Sequence, residues 1–431
     1  MRWVLSSIGV TLALLSPWTA AAQNAPTNCS VTSQNIYVRD ALTTYYYWYQ
    51  HLPNVNVANY TSPEALLEAL RYRPSDNSFS YITSAAANDA FYSDSQVIKY
   101  GFTQMVNAGD ILVLEVWSGS PAEDAGLRRG DRIRRVNGQP VATLVANGTL
   151  SNAFGPDVVG QSATIEFEKP TGEVQQAEMT KRIVTIPTVS LTQVVEVGGR
   201  KVGYLFFRNF VRPSIDALNE AFASLKTAGA TDLILDVRYN GGGLVDVAVH
   251  LASLIGGTRT NGQVLLNWIH NDKVGPALNK VTRFTDAPEQ ALGLERLAVI
   301  TTRSSASASE LIINSLSPYM AVAVIGDTTY GKPVGQYGFT FCDKVLAAVS
   351  FSLKNANQEG DFFDGIAPTC TAADDTTHAL GDPAEGSYAE ALTWLRTGAC
   401  SPRAEGEAKA RRARVDVMPR PTGWAALINA Q

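Results

Sequence analysis

The chain has little of what most hydrolases rely on. It contains four histidines, His51, His250, His270 and His378, and none stands in a recognisable catalytic motif. No G-x-S-x-G turn and no S-x-x-K of the β-lactamase type is present, which excludes those two routes to an activated serine. H-E-x-x-H and C-x-x-C are absent as well, so nothing calls for a metal or another cofactor. Charged residues make up 17% of the chain, with a net charge of −5 and a pI near 5.5, which gives no reason to expect nucleic-acid binding. Long apolar runs are scarce too. The one at residues 4–15 is shorter than the roughly 20 residues that cross a bilayer.

That short run is informative. It follows Arg2 and leads to Ala20-Ala21-Ala22, the pattern of a secretory signal peptide over residues 1–22, cleaved after Ala22. Pro26-Thr27-Asn28 before Cys29 does not make a lipoprotein box, so the expectation is a periplasmic or secreted protein with no stable membrane anchor. Export makes the four cysteines, Cys29, Cys342, Cys370 and Cys400, legible as two disulfides with three possible connectivities. The favoured one pairs Cys342 with Cys370, closing a local loop, and Cys29 with Cys400, tying the ends together.

A chain of 431 residues with 45% hydrophobic content is globular and too long for one ordinary core. Residues 23–93 read as a small helical region. A helix is expected over 38–49, carrying the aromatic cluster Tyr45 to Tyr49 as packing, and a second starts at Ser62-Pro63. Residues 94–186 read as a β domain, with residues 163–167 alternating as a half-buried strand. Residues 187–400 alternate strand and helix, which argues for an α/β core with a largely parallel sheet. The tail, 401–431, mixes Glu405, Glu407, Arg411, Arg412 and Arg414 with small residues and prolines, and is expected to be disordered.

Within the α/β region the segment Ser304-Ser305-Ala306-Ser307-Ala308-Ser309-Glu310 lies between an apolar strand, 297–301, and a helix-like run, 311–316. A serine at such a turn faces helix N–H groups and the positive end of the helix dipole, which favour a developing negative charge. Ser307 and Glu310 also have the spacing of a capping box, a motif of many ordinary helix starts. Beyond the next strand, 322–326, the loop Thr329-Tyr330-Gly331-Lys332 brings a lone lysine. Burial lowers a lysine's pKa, so Lys332 can take a hydroxyl proton. Gln336 follows four residues later and can hold the lysine by a hydrogen bond. Asp236-Val237-Arg238-Tyr239-Asn240-Gly241-Gly242-Gly243 follows another apolar strand, and its three glycines leave backbone amides accessible to a substrate oxygen.

Upstream, the stretch from Gly119 to Gly138 has the pattern G-S-P-A-x-x-A-G-L-x-x-G-D-x-I-x-x-V-N-G, which resembles the centre of a PDZ domain. With these motifs in this order the chain resembles the C-terminal processing peptidases, or tail-specific proteases, over about two thirds of its length, from near Val97 to near Pro383. The resemblance implies a crotonase- and Clp-protease-like α/β fold preceded by a PDZ-like domain. It implies Ser307 as nucleophile, Lys332 as general base, Gln336 as its support, and the amides of Gly242 and Ala308 as oxyanion donors. It also implies that Lys99-Tyr100-Gly101-Phe102 is the carboxylate-binding loop that takes a protein or peptide substrate by its C-terminus, with residues 141–154 as the other groove wall. Departures are Gly241 where the family has proline, Pro333 and Gly335 between lysine and glutamine, and an unusual stretch from Phe341 to Cys370. Gly365-Ile366-Ala367-Pro368 keeps the family's G-I-x-P. The competing expectation is a non-catalytic peptide- or ligand-binding protein on the same fold.

Overall fold

The computed structural model describes residues 25–106 and 109–402. The expected signal peptide and all but the first two residues of the expected tail lie outside the described residues.

Two sheets carry the α/β half of the chain. The first has six strands, with Val189–Val197 antiparallel to Arg200–Phe207 at one edge. From Arg200–Phe207 the sheet runs in parallel through Asp232–Asp236, Arg296–Thr301 and Ala321–Gly326 to the short Cys370–Thr371. Strands covered on both faces need apolar residues at successive positions, which is why Leu233-Ile234-Leu235 and Leu297-Ala298-Val299-Ile300 read as unbroken runs and are fully buried. The helices Ser214–Ala228, Val245–Gly256 and Ala308–Leu316 pack on one face. Gly386–Thr397 covers the other. The expected α/β core is therefore present.

The second sheet is antiparallel. Lys344–Lys354 pairs with Tyr81–Ser84, Val264–His270 and Val334–Phe341, and Val264–His270 also pairs with Lys280–Arg283. Tyr81–Ser84 comes from the N-terminal region, so that region is joined to the α/β half by a strand as well as by packing. Its first helix is Val31–Tyr45, earlier than the expected 38–49. Ser30 caps it by accepting from the Ser33 amide, and the backbone turns extended at Tyr46. The second helix, Pro63–Leu70, starts at the Ser62 cap as its sequence implies.

Between them lies a β domain whose sheet runs in the order Phe102–Val106, Ile111–Val116, Arg132–Val136, Ser162–Glu168, Val174–Thr180. Residues 141–154 form two short helices, Val141–Ala146 and Leu150–Phe154. Met105, Leu112 and Leu114 of this domain pack into the same apolar cluster as the parallel sheet.

The disulfides are two in number, but the favoured pairing was wrong. Cys29 is joined to Cys342 and Cys370 to Cys400. Cys342 and Cys370 are near in sequence yet lie in different sheets. Cys342 is in the turn between Val334–Phe341 and Lys344–Lys354, beside the start of the N-terminal helix, whereas Cys370 is on the edge strand beside Ala321–Gly326.

Candidate active site

Three neighbouring parallel strands end at the same edge of the sheet, where open α/β sheets place their ligands. Asp232–Asp236 hands on to the glycine loop, Arg296–Thr301 to Ser307, and Ala321–Gly326 to Lys332.

The serines of the cluster differ in their surroundings. Ser305 is fully buried and donates to the Val237 carbonyl at 2.7 Å. Ser309 is equally buried and donates to the Asn240 carbonyl at 3.0 Å. Ser307 is half-buried and opens on a cavity of about 760 Å³. Its backbone has φ 55° and ψ −111°, a region that L-residues rarely occupy and that costs on the order of 1–3 kcal/mol. Neighbouring bonds hold it there: the Ala306 amide donates to the Asn240 carbonyl at 3.1 Å, and the Ser307 amide to Glu310 Oε2 at 2.8 Å.

Glu310 does more than start a helix. Its fully buried carboxylate also accepts from the Lys332 amide at 2.9 Å, the Gly331 amide at 2.7 Å and Thr329 Oγ1 at 2.5 Å. Burial pushes its pKa up, and the four donors oppose that. One side chain thus pins the serine turn to the lysine loop. The capping-box spacing was the signal, but its second bonding partner came from the next crossover and could not be read from it.

Lys332 is half-buried, with Nζ donating to Gln336 Oε1 at 2.6 Å. Loss of hydration pulls its pKa down to about 8, against the opposing pull of the Asp76 and Glu310 carboxylates. Gln336 lies at an irregularity in the Val334–Phe341 ladder, between Gly335 and Gln336, where a bulge re-aims a side chain. Its Nε2 donates to the carbonyl of Phe79, whose ring centre is 5.9 Å from Lys332 Nζ. The N-terminal region therefore forms one wall of the lysine's surroundings. No sequence motif marked Phe79, because it stands 257 residues before Gln336.

Gly242 lies against the serine turn. A Cβ on it would fall 2.8 Å from Ser307 Cβ and 2.9 Å from the Ala308 nitrogen, and its φ of +99° suits glycine. Its own amide donates to Asn240 Oδ1 at 2.9 Å, a turn bond that engages the donor expected to face an oxyanion. Ala308 is the first residue of its helix, so its amide has no acceptor within the helix.

Apolar and aromatic side chains, among them Leu266, Trp268, Leu311, Tyr337 and Phe351, line the rest of the cavity. His250 also lines it, but its Nε2 is 2.8 Å from Asn219 Oδ1 and burial lowers its pKa. Among the described residues one cluster has metal-like spacing, Cys370, Glu390 and Cys400, and its two sulfurs are bonded to each other.

Lys99, Tyr100, Gly101 and Phe102 are in the β domain, not in this cavity. Tyr100 is fully buried and donates from its hydroxyl to the Phe154 carbonyl at 2.9 Å. Lys99 is paired with Asp157 at 2.9 Å. Gly101 and Phe102 lead into the edge strand Phe102–Val106.

Comparison with known proteins agrees with this architecture. Residues 201–372 match the model of Peptidase family S41, 33–81 that of the Peptidase S41 N-terminal domain, and 112–147 that of the PDZ domain. The chain is 26% identical over 288 residues to a carboxyl-terminal-processing protease of Synechocystis, covering 65% of this chain and 64% of that one. It is 26% identical over 224 residues to the carboxy-terminal processing protease CtpA of Bacillus subtilis, covering 52% and 45%. The matches thus span less than two thirds of the length of these relatives. A Bacteroides fragilis structure assigned to the S41 proteases superposes with a TM-score of 0.68 at 26% identity, over 88% of this chain and 99% of that one. A photosystem II D1 C-terminal processing protease shares the fold with a TM-score of 0.50 at 22% identity, over 79% and 92%. The chain belongs to peptidase family S41, with an S41 N-terminal domain and a PDZ domain ahead of the peptidase domain.

Proposed function

We propose that this protein is an exported serine endopeptidase, acting in the periplasm or outside the cell, that cuts proteins through a Ser307/Lys332 dyad and selects them by their C-terminal tails through the PDZ domain. The observation that supports the dyad best is the single buried carboxylate of Glu310, which bonds the backbone of both Ser307 and Lys332. The lysine also meets the demand placed on a base. With a pKa near 8, roughly a tenth of it is neutral at pH 7, against well under a thousandth for an ordinary lysine.

In the reaction, Ser307 Oγ attacks the peptide carbonyl carbon while its proton passes to Lys332 Nζ. The carbonyl oxygen becomes an oxyanion facing the Ala308 amide. Gly242 adds a second donor once its amide turns from Asn240 Oδ1 towards the substrate. The C–N bond then breaks and Lys332 gives its proton to the leaving amine. Water, deprotonated by Lys332, attacks the acyl-enzyme, and the new carboxylate leaves as Ser307 regains its proton. Each oxyanion donor of this kind contributes roughly 10²–10³ in rate.

The test is incubation of the protein with an unfolded protein substrate. The wild type yields fragments; Ser307→Ala and Lys332→Ala, both folded, yield none, while Ser304→Ala remains active. Fragments from Ser307→Ala would refute the dyad.

A further inference from the structure

Asp76 is fully buried in the N-terminal region, and both its carboxylate oxygens are engaged. Oδ1 accepts from the Phe79 amide at 2.8 Å and the Ser80 amide at 2.9 Å. Oδ2 accepts from Ser80 Oγ at 2.6 Å and from the Tyr46 hydroxyl at 2.9 Å. The turn over residues 76–80 is thus wound around one carboxylate. It is fastened at both sides: Val349 of the antiparallel sheet donates to Ser80 Oγ at 3.0 Å, and the Tyr72 amide donates to the Tyr46 hydroxyl at 3.1 Å.

What this turn presents to the active site is the Phe79 carbonyl. A carbonyl can accept but not donate, so it takes the NH₂ end of the Gln336 amide and leaves Oε1 facing Lys332. With the amide reversed, an NH₂ group would face the lysine nitrogen, donor against donor. The orientation of Gln336 is therefore decided by where residues 76–80 hold Phe79.

We propose that Asp76 is a positioning residue for the Ser307/Lys332 pair: by fixing the 76–80 turn it orients Gln336, and through Gln336 it aims Lys332 Nζ at the serine. This inference rests on the dyad reading above. The groups that bear on the lysine are the carboxylates of Asp76 and Glu310, the neutral amide of Gln336 and the Phe79 ring. The Asp76 charge favours the protonated lysine, so removing it lowers the lysine's pKa while the loosened turn slows the chemistry.

The experiment measures kcat and KM from about pH 6 to about pH 10 with an internally quenched peptide bearing a free apolar C-terminus. The full chain is used as wild type, Asp76→Asn, Tyr46→Phe and Ser307→Ala, with thermal melts to establish folding. Asp76→Asn is expected to lose about tenfold in kcat with KM changed less than about twofold, since misplacement by a fraction of an ångström has this scale of effect. Its pH midpoint is expected to move to lower pH, because one of the two carboxylates that favour the charged lysine is gone. Tyr46→Phe loses the hydroxyl's bonds to Asp76 and to the Tyr72 amide but no charge, so it should lose about threefold in kcat at an unmoved midpoint. A folded Asp76→Asn with the wild-type kcat and midpoint overturns the inference. If that variant does not fold, an unchanged kcat in Tyr46→Phe overturns it instead. Turnover by Ser307→Ala overturns the dyad itself. An inactive Ser307→Ala beside an unshifted Asp76→Asn overturns the positioning role alone.

Discussion

Ser305, Ser307 and Ser309 are alternate residues of one short segment, yet two of them are structural and one faces the cavity. The sequence made Ser307 legible through its place before Ala308 and Glu310. It could not show that the neighbours are buried and bonded, which depends on the Val237 and Asn240 carbonyls of the loop after Asp232–Asp236. Lys332 was legible for the same reason, and the direction of its pKa follows from burial alone. Its other surroundings, Asp76 and Phe79, were not, because they come from a different region of the chain. Lowering a lysine's pKa from 10.5 to about 8 is itself a cost to the folded state. The unfolded chain binds the proton more tightly, so the penalty is present below about pH 8 and fades as pH rises towards the unfolded value. The gap corresponds to on the order of 3 kcal/mol, less about 1 kcal/mol for the bond to Gln336. Lys332→Met should therefore be inactive and yet more stable than the wild type near neutral pH, by on the order of 2 kcal/mol. The advantage should shrink between about pH 8 and about pH 10.5 in urea titrations. A variant less stable than wild type at pH 7 would contradict the burial argument.

At the scale of elements, the parallel strands were plain because strands buried on both faces read as apolar runs. The antiparallel sheet was not. Its members Lys280–Arg283 and Val334–Phe341 have mixed burial and no such run, and Tyr81–Ser84 is half-exposed. That gap also explains the disulfide error, since Cys342 lies in the turn of a hairpin that the sequence pattern does not mark. The hairpin is where the first helix rests: Tyr37 stacks on Phe341 at 5.1 Å and Tyr45 packs on Phe339 at 5.0 Å. The Cys29–Cys342 bond therefore fastens the N-terminal region to the strand that carries Gln336. Its sequence separation is 313 residues, against 30 for Cys370–Cys400. In the chain-entropy view the longer loop stabilises by about 2 kcal/mol more. Oxidised protein should show no titratable thiols, and peptide mapping should recover these two pairs. Paired Cys→Ser variants should lose more stability at Cys29 and Cys342 than at Cys370 and Cys400. A mapped Cys342–Cys370 peptide would contradict the structure.

At the scale of the whole molecule, two arginines join the PDZ domain to Tyr239, at the start of the glycine loop. Arg208 of the peptidase domain is fully buried and donates to Glu115 at 3.1 Å and Thr103 at 3.3 Å in the PDZ domain, and to the Tyr239 carbonyl. Arg129 of the PDZ domain bonds the Tyr239 hydroxyl and Asp374, each at 2.6 Å. Tyr239 immediately precedes Asn240, whose side chain engages the Gly242 amide. Thr103 and Glu115 are register partners on the first two strands of the PDZ sheet, and the first of these, Phe102–Val106, is the edge strand. A substrate tail adding to that edge would lie one strand from Arg208, with its carboxylate at the backbone amides of the Lys99–Phe102 loop. Lys99 is committed to Asp157, so the charge of the tail would be met by the backbone and not by that side chain. The expected selectivity is for a free carboxylate and small apolar terminal residues, as for a PDZ domain that takes a peptide by its C-terminus; Val141, Leu144 and Phe154 of residues 141–154 are buried in the interior of the domain. One unfolded substrate ending in apolar residues is compared with the same chain ending in two aspartates and with a C-terminal amide. The wild type should cut the last two more slowly, the amide by about tenfold for the loss of one charge-assisted contact. Arg208→Met should reduce turnover of the preferred substrate and narrow the difference among the three, since the route from Thr103 to Tyr239 is cut. Equal cleavage of all three by the wild type would mean that this domain does not read the terminus. Undiminished discrimination and turnover in a folded Arg208→Met would mean that tail recognition reaches the glycine loop by another route.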